Sequence, residues 1–366
     1  MSNKISAPIL KERLHSLDAL RGLDMFFLVG LAGIFRALPK LSDNVSFNWL
    51  ADQCQHPQWE GFTAYDVIFP MFIFIVGVAI PFSFKKRLSQ KGGKHKLYKH
   101  IISRTIILSI LGVVLWKEPG GAHPTYGFYS VLYRIAFSYL FAGIIMMNTN
   151  VKQQAYWAFG ILIVYWIVHR FIPIQGYGAG DFSRDGNFNA FVMSKVSLYL
   201  SPSFRHVFNP SLLLSVSNAL FGVLAGQWLI KGDKSSKKAL WLFIAGAGFI
   251  VVGLLVHIDF PINKKLGTPS FTLLTSGISA ALLALFYWII DVKGYKKWSF
   301  FFIVVGMNSI TIYVANSLFN FRAVTNVFVG GFDFGNAQAL IFALVSATIK
   351  WLFLYYFYKQ KVFLKI

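Results

Sequence analysis

Apolar runs of about 20 residues recur along the whole 366-residue chain, each long enough to cross the roughly 30 Å hydrocarbon core of a bilayer. They fall at about 17–38, 62–84, 100–116, 128–148, 155–171, 210–230, 239–257, 271–290, 298–318 and 337–357. A set of soluble domains is excluded, because a water-soluble chain of this size has no interior large enough to hide so many such runs. In lipid each segment must satisfy its own backbone hydrogen bonds. The expected architecture is therefore all-α, a polytopic transmembrane helix bundle of about ten spans. Hydrophobic residues make up 56% of the chain and charged ones 13%, well below the charged share of a soluble protein. A single Cys excludes a disulfide scaffold. No soluble domain or repeat of fixed period interrupts the pattern, so residues 1–366 are read as one transmembrane domain.

The net charge of +21 would suggest a polyanionic partner in a soluble protein; in a membrane protein it first reports orientation. One alternating set of joining segments, which includes both termini, carries 21 of the 35 Lys and Arg, and the opposite, longer set carries 10. Both termini are thus expected in the cytoplasm, and nucleic acid is not an expected partner. The first run holds Asp18, Arg21 and Asp24 and lacks the features of a cleavable signal. On the outer side, the long segment 170–209 has a turn-rich stretch from Gly176 to Asp181 and then an amphipathic stretch near 187–200, which predicts a lid or short interfacial helix. A second short helix is expected from Phe47 to Cys54.

Ionisable groups inside hydrocarbon cost at least a few kcal/mol, so each needs a partner or a task. Asp18, Arg21 and Asp24 share one face of the first span, with Lys350 of the last span placed at a similar depth from the cytoplasm. They form either a structural ion network or the inner mouth of a polar passage. Asp66 and Arg134 sit in the outer third of their spans and are able to pair. Pro70, four residues after Asp66, predicts a kink that frees the Asp66 carbonyl. Asn218 and Asn308 fall near the midplane, as interhelical ties or as lining of a passage. His56 lies just outside the second span, above Asp66. Cys54 beside it lacks an orienting third group and reads as structural. No ligand spacing suggests a metal, and no Gly-Lys-Ser/Thr loop cradles phosphate.

The stretch Ser16-Leu17-Asp18-Ala19-Leu20-Arg21-Gly22, followed by His56-Pro57-Gln58-Trp59-Glu60-Gly61-Phe62-Thr63-Ala64-Tyr65-Asp66-Val67-Ile68-Phe69-Pro70, resembles the heparan-α-glucosaminide N-acetyltransferase family and its bacterial relatives. Segments around Arg134, Gly222 to Gly226, Asn263-Lys264 and Gly306 to Ile310 agree in the same order. The resemblance implies transfer of an acetyl group from cytoplasmic acetyl-CoA to a sugar amine across the membrane. His56 matches the family's active histidine and Asp66 its nearby acid. Two positions depart from the animal pattern: Ala32-Gly33 replaces an asparagine implicated in catalysis, and Gly267 replaces an aromatic residue.

On this reading His56 acts as base or acetyl carrier and Asp66 orients it. Arg21, Arg134, Asn218, Asn308 and Lys350 hold the donor along a passage from the Arg21/Lys350 region. Trp59, Glu60, Asp181, Asn263 and Lys264 face the acceptor. The implied partners are a saccharide acceptor and membrane lipid, with a homodimer compatible, no metal, and a bacterial inner membrane as the location. The rival reading is a transporter or permease for a sugar or lipid-linked precursor, using the same polar groups as a path.

Overall fold

A computed structural model describes residues 14–88, 92–115, 128, 130–199 and 206–364. Residues 1–13 of the joining segment expected at 1–15, and the whole of that expected at 117–127, lie outside the described residues. The described chain is all-helical, apart from an isolated bridge between Ile174 and Gly178.

Each apolar run becomes a helix. The first is α1 (His15–Phe26), a π-helical turn (Phe27–Leu31) and α2 (Ala32–Leu41) end to end. Then come α3 (Val45–Asp52), α4 (Ile68–Leu88), α5 (Gly93–Val114), α6 (Val131–Asn148) and α7 (Val151–Phe171). After these follow α8 (Phe188–Tyr199), α9 (Ser211–Ile230), α10 (Ser236–Val256) and α11 (Pro269–Phe286), the last continued by a π-helical turn (Tyr287–Val292). The chain ends with α12 (Phe300–Met307), α13 (Ser309–Leu318), α14 (Phe321–Val329) and α15 (Gln338–Lys359). The short helices expected on the outer segments are α3 and α8.

Among the described residues, eight helical stretches are by length and composition able to cross a membrane, or nine if α12 and α13, bent by 65° at Asn308, count as one span. The difference from ten lies at α7, where Gln153, Gln154 and several Tyr and Trp dilute an otherwise apolar helix. Stretches through α4, α9 and α11 are the most enclosed, and those through α5, α10 and α15 form the perimeter.

Small residues decide which helices touch, since lipid offers no hydrophobic drive for one apolar face over another. At the α4–α9 contact a Cβ on Gly222 would fall on the Phe74 carbonyl oxygen. At the α1–α12 contact a Cβ on Gly306 would fall on the Asp18 carbonyl, and one on Gly22 on the Phe302 carbonyl.

Pro70 does not kink a span. The helix starts at Ile68, after a 3₁₀ turn over Ala64–Asp66, so Pro70 occupies the first turn, where its missing N–H would have had no helical partner anyway. Asp66 accordingly stands at the head of α4 and not several residues down it.

Candidate active site

Two loops meet at the N-terminal end of α4. The first, between α3 and α4, carries His56; Tyr65 N–H donates to the Gln53 carbonyl (3.0 Å) and Ala64 N–H to Gln53 Oε1 (3.1 Å), which folds the loop back on α3. The second, between α10 and α11, carries Lys264. Gly61, at φ +120°, joins them by donating its N–H to the Ile262 carbonyl at 3.1 Å. A side chain is strained at that dihedral, which explains glycine there.

His56 Nδ1 donates to Asp66 Oδ1 at 2.7 Å, and the carboxylate is fully buried. Thr63 N–H donates to Asp66 Oδ2 at 3.1 Å. Lys264 Nζ lies 3.4 Å from Asp66 Oδ1 and donates to His56 Nε2 at 3.0 Å. A neutral imidazole protonated on Nδ1 satisfies the bond to Asp66 and leaves Nε2 to accept from Lys264, whose Nζ also lies 3.2 Å from Nδ1. The Tyr65 ring lies against the His56 ring, with centroids 4.7 Å apart. The result is a half-exposed imidazole held by a buried carboxylate and by an ammonium that lies close to both the ring and the carboxylate.

Burial holds the Lys264 ammonium below the usual lysine range; Asp66 opposes that shift and Arg134 adds to it. Burial likewise pushes the Cys54 thiol up, against the pull of Arg36. That raised thiol is a poor nucleophile, in keeping with a structural Cys54.

Three adjoining cavities meet here. An outer one of about 230 Å³ is lined by His56, Trp59, Asp66, Arg134, Lys264 and Lys265. It shares His56, Phe69, Val131 and Lys264 with a middle cavity of about 130 Å³, which also reaches Asp24, Tyr65 and Ser309. The middle cavity shares Phe72, Leu132, Ile135, Ser309 and Ile310 with an inner one of about 190 Å³ that ends on Arg21, Ser83 and Arg104. Polar groups thus continue from Arg21 to His56.

The other sequence candidates separate. Arg134 lines the outer cavity and lies over the Phe69 ring. Trp59 donates its indole N–H to the Phe182 carbonyl (2.9 Å) and carries the Arg184 guanidinium on its ring, so the segment before α8 covers the site. Glu60 is exposed beside it. Asn263 shapes the Lys264 turn, with its Oδ1 accepting from Leu266 N–H. Asp181 caps a local turn through Ser183 N–H and lines none of the three cavities.

Two donor-side expectations need correcting. Asn218 donates to the Pro70 carbonyl (2.8 Å) and accepts from Ser276 (2.9 Å), so its amide is spent tying α9 to α4 and α11. Lys350 does not join Arg21: its Nζ donates to the Val29 carbonyl at 2.9 Å, and it lines a different cleft. Asn308 stands at the α12–α13 break with neither amide atom hydrogen-bonded, next to the Ser309 and Ile310 that line both the middle and the inner cavity.

The sequence reasoning missed Tyr65, Arg104 and the depth of Asp24. Arg104 lies within the third apolar run, so the rule applied to Arg21 would have found it. Asp24 is fully buried, neither of its oxygens hydrogen-bonded, on the cavity that holds His56.

Residues 13–118 match a family model described as a domain of unknown function, DUF5009. The chain is 24% identical to the heparan-alpha-glucosaminide N-acetyltransferase of Mus musculus, over 85% of this chain and 56% of that protein. It is 25% identical to the enzyme of that name in Homo sapiens, over 98% of this chain and 60% of that protein. The chain therefore spans less than two thirds of the length of these relatives. The family-level relationship implied by the His56 to Pro70 motif is supported along nearly the whole chain.

Proposed function

We propose that this chain is a membrane-embedded acetyltransferase that moves an acetyl group from cytoplasmic acetyl-CoA to an amino sugar or related saccharide on the outer side of the membrane. The carrying observation is the His56–Asp66 pair, 2.7 Å apart, at the junction of an inward-reaching and an outward-facing cavity. The similarity to N-acetyltransferases supplies the reaction class.

The residues fit the donor. Arg21 and Arg104 at the inner cavity offer charge-assisted bonds to CoA phosphates. The buried atoms of Asp24 and Asn308 that have no hydrogen-bond partner suit the amides of a pantetheine arm, since buried polar groups are normally paired. Bound there, acetyl-CoA supplies an activated acetyl group. His56, with Nδ1–H held by Asp66, presents Nε2 as the base that takes the proton from the acceptor nitrogen while the nitrogen–carbonyl bond forms, and returns it to the CoA sulfur as the carbon–sulfur bond breaks, so that free CoA leaves as the thiol. Asp66 stabilises the resulting imidazolium. Lys264 must yield Nε2 to the acceptor, and its ammonium balances Asp66 until then. If His56 instead carries the acetyl group, the same Nε2 is the attacking atom.

Purified protein incubated with labelled acetyl-CoA and a panel of amino sugars tests this reading. Labelled product is expected. No CoA binding, together with solute flux in vesicles, would instead favour a permease, for which the broken α12–α13 span is the supporting feature.

Blocking the passage gives a second test. Ile310→Trp places a large ring where the inner and middle cavities join, and is expected to cut acetyl transfer roughly a hundredfold. Unchanged turnover in a folded variant would rule out this route for the donor.

The pH profile tests Lys264. With its pKa lowered, the ammonium loses its proton at lower pH than an exposed lysine. Between that pH and the ordinary lysine value the unfolded chain holds the extra proton, so folding becomes more favourable as pH rises, whereas a rate that needs the ammonium falls. Lys264→Arg stays charged throughout and is expected to move the alkaline limb of kcat/KM up by about one pH unit or more. An unmoved limb would show that Lys264 does not set it.

A further inference from the structure

A second cleft, of about 1150 Å³, opens between α2, α14 and α15, outside the three cavities of the candidate active site. Four cations line it, Arg36, Lys40, Arg322 and Lys350, and none of the described residues lining it is acidic. Several side-chain amides, among them Asn316 and Gln338, share the wall. It lies on the same side as His56: the Arg36 guanidinium sits 5.3 Å from the Tyr65 ring centre, and that ring rests on His56.

Lys350 is the residue that calls for a ligand. It stands twelve residues into α15, about 18 Å from the helix start. A cation at that depth costs several kcal/mol and is normally paired. Its contacts are the Val29 carbonyl, in the π-helical turn over Phe27–Leu31, and the Phe321 ring at 5.8 Å. Neither neutralises the charge.

The surroundings point to the membrane as the ligand's source. α15 is a perimeter helix, with only 11% of its most apolar stretch buried, so one wall of the cleft borders lipid. Leu318, Phe319, Phe328 and Phe332 are exposed apolar side chains on the neighbouring segment, as expected where a helix sits in the interface.

We propose that this cleft binds the phosphate-bearing head group of a membrane amphiphile, with the arginines and lysines on the phosphate oxygens and the amides on head-group hydroxyls. Guanidinium forks match phosphate geometry, and basic pockets between membrane helices suit anionic head groups. This binding is independent of acetyl transfer, so either claim can fail without the other.

The test is binding to the full chain in neutral detergent, with short-chain phosphatidylglycerol, short-chain phosphatidylcholine and inorganic phosphate as separate probes. The wild type is expected to bind the glycerol lipid at least about tenfold more tightly than the choline lipid. Lys350→Met and the double variant Lys40→Gln/Arg322→Gln are each expected to weaken it roughly tenfold. Lys350→Met removes a partly buried charge, so its thermal midpoint should hold or rise, which separates lost binding from lost folding. Saturable inorganic phosphate without lipid preference would keep the phosphate site and overturn its membrane source. No discrimination between lipids and no phosphate binding, or variants that bind like the wild type, would overturn the proposal.

Discussion

Replacing His56 by alanine is expected to lower acetyl transfer by about a hundredfold to ten-thousandfold, the range that a positioned general base contributes. The loss should appear in kcat, because the imidazole acts on the proton in flight and contributes little to holding either substrate. The side chain is half exposed at the junction of two loops, so its removal leaves no packed core to collapse. The thermal midpoint should therefore stay close to the wild type. Asp66→Asn separates orientation from base chemistry: the amide keeps the shape but no longer stabilises the imidazolium, and a smaller loss is expected. The measurement is labelled acetyl transferred per enzyme, with each variant's melting curve alongside. A His56→Ala protein that transfers acetyl at the wild-type rate would remove His56 from the chemistry and with it the proposed mechanism.

The largest effect on stability is expected at Gly306. Its Cα faces the α1 backbone so closely that a Cβ would land on the Asp18 carbonyl, and the reciprocal position, Gly22, faces the Phe302 carbonyl in the same way. Neither obstacle is the end of a flexible side chain. Gly306→Leu must therefore push α1 and α12 apart, at a cost above the usual overpacking range of about 1–3 kcal/mol. With a typical stability of about 5–15 kcal/mol, this is a large share of the total. The variant is expected to lose monodispersity on size exclusion in detergent and to melt many degrees earlier. Gly33→Ala is the control, since a Cβ there meets open space. Equal melting of the Gly306→Leu and Gly33→Ala proteins would show that the α1–α12 contact does not set stability.

The loss at Gly306 should reach the site as well. Asn308 and Ser309 follow directly, and the 65° break between α12 and α13 places Ser309 and Ile310 on the passage. Close packing of α12 on α1 and the wall shared by the middle and inner cavities thus depend on the same stretch of five residues. A glycine that looks like a helix weakness in sequence serves here to let two backbones meet.

Much of the fold was legible because its cause is local. A run of apolar residues without interruption has to be a helix in lipid, and the helices formed at every run, with the shortfall in spans confined to the Gln- and aromatic-bearing α7. The site was legible in part for a different reason: His56 and Asp66 lie ten residues apart in one motif, and a short loop necessarily brings them near each other. Lys264 was legible only as a member of the Asn263-Lys264 segment, because it arrives at His56 from 208 residues away. Pro70 misled because the rule for proline inside a helix presumes a helix already running through it, and this one begins two residues earlier.

Length and azimuth divide what each level decides. The apolar runs by themselves determined a helical membrane bundle and which stretches of the chain become its helices, since both follow from the cost of moving side chains and peptide groups out of water. They do not determine which way a residue faces around its helix or which helix it meets. Those choices rest on where glycines let backbones approach, a short-range packing effect with no trace in hydropathy. Packing therefore turned Asn218 into a tie between helices, set Lys350 in a separate cleft instead of beside Arg21, and brought Lys264 onto the His56–Asp66 pair.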